Sequence, residues 1–248
     1  MAIHIKEMVE QAKAYLVQLP ELPEIKPVSN DQVAGYIDHT ILKPEATPEQ
    51  VEKLCLEARE YSFAAVCVNP IFIPQVARLL QGSPAKACSV IGFPLGASLT
   101  RIKVEETRIV IEEGAQEVDM VLSIGLLKAR EYEQVYEDIL AVTQACHQHK
   151  VALKVIFENC LLEKEEKIMA CLLSQSAGVD FIKTSTGFSK SGATVEDIDL
   201  MRRVVGPAMG VKAAGGVRSL ADAQAMLKAG ANRLGTSAGL TIVKEALS

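Results

Sequence analysis

Three lysines recur at one interval in this chain: Lys154, Lys183 and Lys212 are each 29 residues apart. Each sits in a short apolar run (ALKVIFE, DFIKTST and GVKAAGG) that reads as a β-strand. Side chains alternate between the faces of a strand. Leu153, Val155 and Phe157 therefore face one way and Lys154 the other, and Ile182 and Val211 point away from Lys183 and Lys212. In the preceding run, EVDMVLSI, Val118, Met120 and Leu122 share one face and Asp119 takes the opposite one. Neighbouring strands thus send three ammonium groups and a carboxylate into one interior.

Lysine is almost never fully buried without a partner, and one carboxylate cannot neutralise three ammoniums. Amine chemistry supplies a reason for the crowding. An amine attacks a carbonyl only when unprotonated, and its reference pKa is about 10.4. A second ammonium about 4 Å away costs about 4 kcal/mol at an effective dielectric near 20. That is about three pKa units, enough to activate an amine near neutral pH. On adjacent strands, Lys183 and Lys212 read as a nucleophile and its activating neighbour, with Asp119 as ion-pair partner and proton relay. Spacing alone does not say which lysine attacks.

The elements that must hold these groups alternate along the chain. The strand-like runs are YIDHT, AAVCVNP, ACSVIGFP, EVDMVLSI, ALKVIFE, DFIKTST, GVKAAGG and RLGTS. Helical segments begin near Pro48, Ile71, Thr100, Ala129, Glu163, Thr194, Ser219 and Ala238, and several end at glycine, as at Gly114, Gly178 and Gly230. Eight such units predict an α/β protein, a (β/α)8 TIM barrel. An open doubly wound sheet would need a G-x-G-x-x-G turn after the first strand, and there is none. Residues 1–18 carry Ile5, Met8, Val9, Ala12, Tyr15 and Leu16 at helical spacing, and 19–30 hold three prolines. Residues 1–30 are therefore expected to be an N-terminal helical extension and linker, covering the closed end of the barrel or touching another subunit. Residues 31–248 form the barrel domain.

Glycines and hydroxyls cluster where the last three strands end. TSTGFSKSGAT, AAGGVRS and GTSAG can present backbone N–H groups to an anion, the place where such barrels often hold phosphate. The candidates are Gly187, Gly215, Gly216 and Ser237, with Arg218 or Lys190 as the cation.

Composition narrows the partners. The net charge is -5 with no basic run, which argues against nucleic acid. No apolar stretch approaches about 18 residues, so no membrane span is expected. The N-terminus lacks the basic head of a targeting segment. The six cysteines form no C-x-x-C pair and read as reduced thiols of a cytoplasmic protein. His147 and His149 fall late in a predicted helix, where cations suit the C-terminus better than zinc does.

IDHTILKPEAT, AVCVNP, EVDMVLSIG, LKVIFENCLL, DFIKTSTGF, VKAAGGVR and GTSAG together resemble the deoxyribose-phosphate aldolase family over about residues 33–240. The resemblance implies a class I aldolase that cleaves 2-deoxyribose 5-phosphate through a Schiff base, with no metal or other cofactor. It selects Lys183 as the Schiff-base lysine, Lys212 as its activating neighbour and Asp119 for proton transfer. Lys154 and Asp38 belong to the inner network, with Cys67 facing the interior beside it. Gly235 joins the phosphate-binding set through GTS. The partners implied are a phosphorylated sugar and aldehydes, and the assembly a homo-oligomer, dimer or tetramer. Two positions depart from some relatives: Phe188 stands where a lysine follows the TSTG glycine, and Ala238 where a second serine is often found.

Overall fold

A computed structural model describes residues 4–248. Eight parallel strands close in chain order into one barrel: β1 Ile37–Ile41, β2 Ala65–Val68, β3 Lys86–Ile91, β4 Glu117–Val121, β5 Ala152–Ile156, β6 Phe181–Lys183, β7 Gly210–Ala214 and β8 Arg233–Thr236. The helices after β1 to β3 are α2 Pro48–Glu60, α3 Ile73–Leu79 and α4 Thr100–Glu112. Those after β4 are α5 Ile124–Lys128 and α6 Tyr132–His147. α7 Lys164–Ser176, α8 Val195–Val205, α9 Leu220–Lys228 and α10 Gly239–Leu247 complete the ring. The (β/α)8 expectation is met.

Local chemistry sets the helix starts. Thr47, Thr194 and Ser219 accept the N–H groups of Gln50, Asp197 and Asp222, satisfying donors that a first turn leaves open. Two starts differ from the sequence reading. Pro70–Phe72 forms a 3-10 turn, so α3 begins at Ile73. The helix expected from near Ala129 begins at Tyr132, and a short helix, α5, precedes it, the two separated at Arg130, whose φ is +61°.

Strand phase divides the core. Outward residues such as Val118, Met120, Leu153, Val155, Ile182 and Val211 pack under the helices. Inside the barrel, Leu42, Ala65, Cys67, Cys88 and Val90 form a small separate apolar cluster on the β2 and β3 side. The opposite side of the lumen holds the charged groups.

The N-terminal helix α1, Ile5–Val17, packs on α7 in the outer ring. Its linker crosses α8 and α9: Arg203 donates to the Pro20 carbonyl at 3.2 Å, and Gln224 to the Val28 carbonyl at 3.1 Å. Thus α1 covers the helical ring and not the closed end of the barrel. Among the described residues no helix is long and apolar enough to cross a membrane.

Candidate active site

Lys183 Nζ lies 2.7 Å from Asp119 Oδ2, and Lys212 Nζ lies 2.8 Å from the same oxygen. The two nitrogens are therefore at most about 5.5 Å apart, the sum of those distances. Lys154 Nζ bonds the other oxygen, Oδ1, at 2.8 Å. Strand phase counted one carboxylate; Asp38, which the resemblance placed in the inner network, joins it, and Glu117 is a third that neither reading named. Asp38 Oδ2 also accepts from Lys212, and Glu117 pairs with Lys154 at 2.5 Å. Arg233 links these two carboxylates, 2.8 Å from Asp38 and 3.1 Å from Glu117. Four cationic side chains thus share three carboxylates. Glu117 and Arg233 escape the reading built on lysine spacing. The alternation that turns Asp119 inward also turns Glu117 inward, two residues earlier.

Burial alone would push the Asp119 and Asp38 carboxyls up. The ammoniums of Lys154, Lys183 and Lys212 outweigh it at Asp119, and those of Lys212 and Lys154 with Arg233 outweigh it at Asp38, so both stay far below the usual carboxylate range. Burial also opposes charge on Lys212 and Lys154, but Asp119 and the other carboxylates win, holding both above the ordinary lysine value. Lys212 and Lys154 are therefore fixed cations, and Lys183 has one of them as a close neighbour. Asp119, ionised and bonded to three ammoniums, is the hub of the network.

A cavity of about 360 Å³ opens at the carboxyl ends of the strands, and Lys183 is the one lysine of the three that lines it. This geometry separates groups that spacing left equivalent. Lys154 is in register with Asp119 and Phe181, one pleat deeper than Lys183. Lys212 is level with Lys183 but turns to Asp38.

Gly187, Gly215, Gly216, Arg218, Gly235 and Ser237 all line the same cavity. Lys190 is exposed and is not among the lining residues. Lys43, from the loop after β1, lines the cavity and was not singled out in the sequence, because a loop lysine carries no periodic signal. Phe188 also lines it, its ring edge-on to Phe93 at 5.3 Å. Hydroxyls and close backbone contacts hold these loops together. Thr236 donates to the Val217 carbonyl at 2.6 Å, and the Ala193 N–H to the Gly215 carbonyl at 2.9 Å. A Cβ on Gly192 would stand 2.1 Å from that carbonyl oxygen, so only glycine allows the crossing.

Cys67 is buried in the lumen, its Sγ 4.0 Å from Asp119, and does not line the cavity. Cys67, Cys88 and Asp119 bring donor atoms within 4.8 Å of one another, as a metal site would, but Lys154 stands 3.4 Å from Cys88 and 2.8 Å from Asp119. A cation already occupies that space. His147 pairs with Asp180 at 2.9 Å.

A barrel whose cavity reaches one of three inward lysines, backed by fixed ammoniums and rimmed by glycine loops, has the constellation of a Schiff-base enzyme. Residues 32–245 match the family described as DeoC/LacD family aldolase. The deoxyribose-phosphate aldolase of Clostridium perfringens is 56% identical over 221 residues, covering 89% of this chain and 98% of its own. A solved structure from Coccidioides immitis superposes with a TM-score of 0.92 at 38% identity, over 100% of this chain and 99% of that one. The tetrameric deoxyribose phosphate aldolase of Aeropyrum pernix superposes with a TM-score of 0.83 at 31% identity, over 99% of each chain. The chain belongs to the DeoC/LacD aldolase family.

Proposed function

We propose that this chain is a deoxyribose-phosphate aldolase, reversibly cleaving 2-deoxyribose 5-phosphate to glyceraldehyde 3-phosphate and acetaldehyde through a Schiff base on Lys183. The observation that carries the residue assignment is that Lys183 alone of the three inward lysines lines the cavity. Its neutral amine attacks C1 of the open-chain sugar, and loss of water gives an iminium. Removal of the C3 hydroxyl proton breaks the C2–C3 bond, and the electron pair moves into the iminium to give an enamine. Glyceraldehyde 3-phosphate leaves. Protonation of the enamine carbon and hydrolysis release acetaldehyde and restore the amine. The iminium is the electron sink, so no Lewis acid is needed.

Lys212, held cationic by Asp119 and Asp38, stands at most about 5.5 Å from the reacting nitrogen. Asp119 orients both amines and is the inner carboxylate through which protons move. Gly187, Gly215, Gly216, Gly235 and Ser237 receive the phosphate, with Arg218 and Lys43 as its cations in place of Lys190. The reading also assigns the chain to the cytoplasm, in keeping with six free cysteines, and to a homo-oligomer, in keeping with the tetrameric relative. Incubation with 2-deoxyribose 5-phosphate should yield both aldehydes in equal amounts. Addition that proceeds with dihydroxyacetone phosphate as donor and not with acetaldehyde would assign a different aldolase.

A further inference from the structure

Just beyond β5 the chain adopts a conformation that its residue disfavours. Glu158 has φ +57° and ψ +59°, a left-handed geometry that glycine takes freely and other L-residues rarely. It is 3% exposed. Such outliers persist where their surroundings over-determine them, and they cluster at functional sites. The neighbours show what holds this one. The Phe157 N–H donates to the Lys183 carbonyl and the Asn159 N–H to the Thr184 carbonyl, each at 2.9 Å. The chain thus runs along β6, and the left-handed residue between the two contacts turns its carboxylate onto Thr186.

Glu158 Oε1 accepts the Thr186 N–H at 3.3 Å, and Oε2 accepts the Thr186 hydroxyl. With its proton committed to Glu158, Thr186 Oγ1 accepts the Phe188 N–H at 3.0 Å. The Phe188 ring then rests edge-on against Phe93. The three residues Thr186, Gly187 and Phe188 line the cavity. Their first and third N–H groups are spent inside the protein, and among the described residues the Gly187 N–H between them has no acceptor in the chain. Gly187 itself is left-handed, with φ +87°. A turn that spends its outer donors inward leaves the central one for an anion.

We propose that Glu158 is the positioning residue of the cavity's anion-binding edge, holding the Thr186–Phe188 turn so that the Gly187 N–H serves the substrate phosphate. This rests on the reading of the cavity as the site of a phosphorylated aldose. Glu158 lies beneath the turn, not in the lining, and acts through Thr186. A merely structural role would lower thermal stability and reduce turnover of every substrate alike. A positioning role removes only the part of binding that depends on phosphate.

The test is Glu158→Gly, with Glu158→Gln beside it. Glycine removes both acceptors and suits the left-handed backbone, and the relief of backbone strain offsets part of the cost of the two lost hydrogen bonds, so the fold should survive. Steady-state kinetics are measured with 2-deoxyribose 5-phosphate and with unphosphorylated 2-deoxyribose, and inorganic phosphate is titrated as a competitive inhibitor. In Glu158→Gly, the KM for the phosphorylated sugar and the Ki for phosphate should rise about tenfold or more, the loss of one hydrogen bond to a charged group. kcat should stay within about twofold, so the preference for the phosphorylated sugar falls about tenfold. Glu158→Gln, which keeps one acceptor, should fall between the two. Equal loss of kcat/KM on both sugars, or no change in the Ki for phosphate, overturns the proposal. Failure of the underlying reading looks different: the unsubstituted protein would then cleave neither sugar.

Discussion

Asp119→Asn removes one charge at nearly constant shape, and its consequences follow from the three ammoniums on that carboxylate. Lys154 keeps Glu117 and Lys212 keeps Asp38, but among the described residues Lys183 has no other carboxylate partner. Removing one member of a buried ion pair costs about 3–5 kcal/mol. About 1 kcal/mol moves Tm by about 2–4 °C at this chain length, so Tm should fall by roughly 10 °C. Loss of the inner proton-transfer group should lower kcat by about 10²–10⁴-fold. Calorimetric melting and a coupled assay for glyceraldehyde 3-phosphate read the two effects separately. The double variant D119N/K154M, which removes one cation from a lumen left with more cations than carboxylates, should recover part of the Tm and none of the kcat. An Asp119→Asn protein with unchanged Tm would refute the network as a stabilising unit. Turnover restored together with Tm in the double variant would reduce Asp119 to a charge balance.

Arg218→Ala should raise the KM for the phosphorylated sugar about tenfold or more, with little change for unphosphorylated 2-deoxyribose, as expected when one charged hydrogen bond to phosphate is lost; steady-state kinetics on both sugars check this. Asp38 and Asp119 have folded-state pKa values far below the unfolded value of about 3.9. Their stabilisation is therefore fully present above that value and is lost as pH falls below it toward the folded pKa. Urea midpoints measured from pH 7 downward should stay high until about pH 4 and then drop, and the drop should be much smaller in Asp119→Asn. Dialysis against a chelator should leave cleavage unchanged, because the iminium on Lys183 does the work of an electron sink; a fall restored by a divalent cation would contradict this.

The barrel was legible because period two and the strand–helix alternation are imposed by burial, and burial is written in the apolar pattern. The same period turned Lys154, Lys183, Lys212 and Asp119 inward correctly. It could also have found Glu117 and Arg233, which lie on the inward faces of β4 and β8, had charges of both signs been followed strand by strand. The choice of Lys183 was not in the spacing; it depends on the pleat at which each lysine enters the lumen and on Asp38 drawing Lys212 aside. Loop residues were the hardest. Lys43 reaches the cavity and Lys190 does not, because loop paths are set by contacts such as Gly192 against Gly215 that leave no periodic trace. The left-handed Glu158 was hidden for the same reason: its backbone is dictated by Lys183, Thr184 and Thr186, residues distant in sequence. The short helix α5 was missed because its five residues, Ile124–Lys128, are too few to show a helical period.

The central claim is that Lys183 is the amine that reacts. Borohydride reduction in the presence of acetaldehyde or 2-deoxyribose 5-phosphate, followed by peptide mapping, tests it most directly. The expected result is a stable adduct on the FIKTSTG segment, at Lys183 alone, absent from Lys183→Ala. An adduct on Lys154 or Lys212, or reduction that leaves every lysine unmodified while substrate is cleaved, would contradict it.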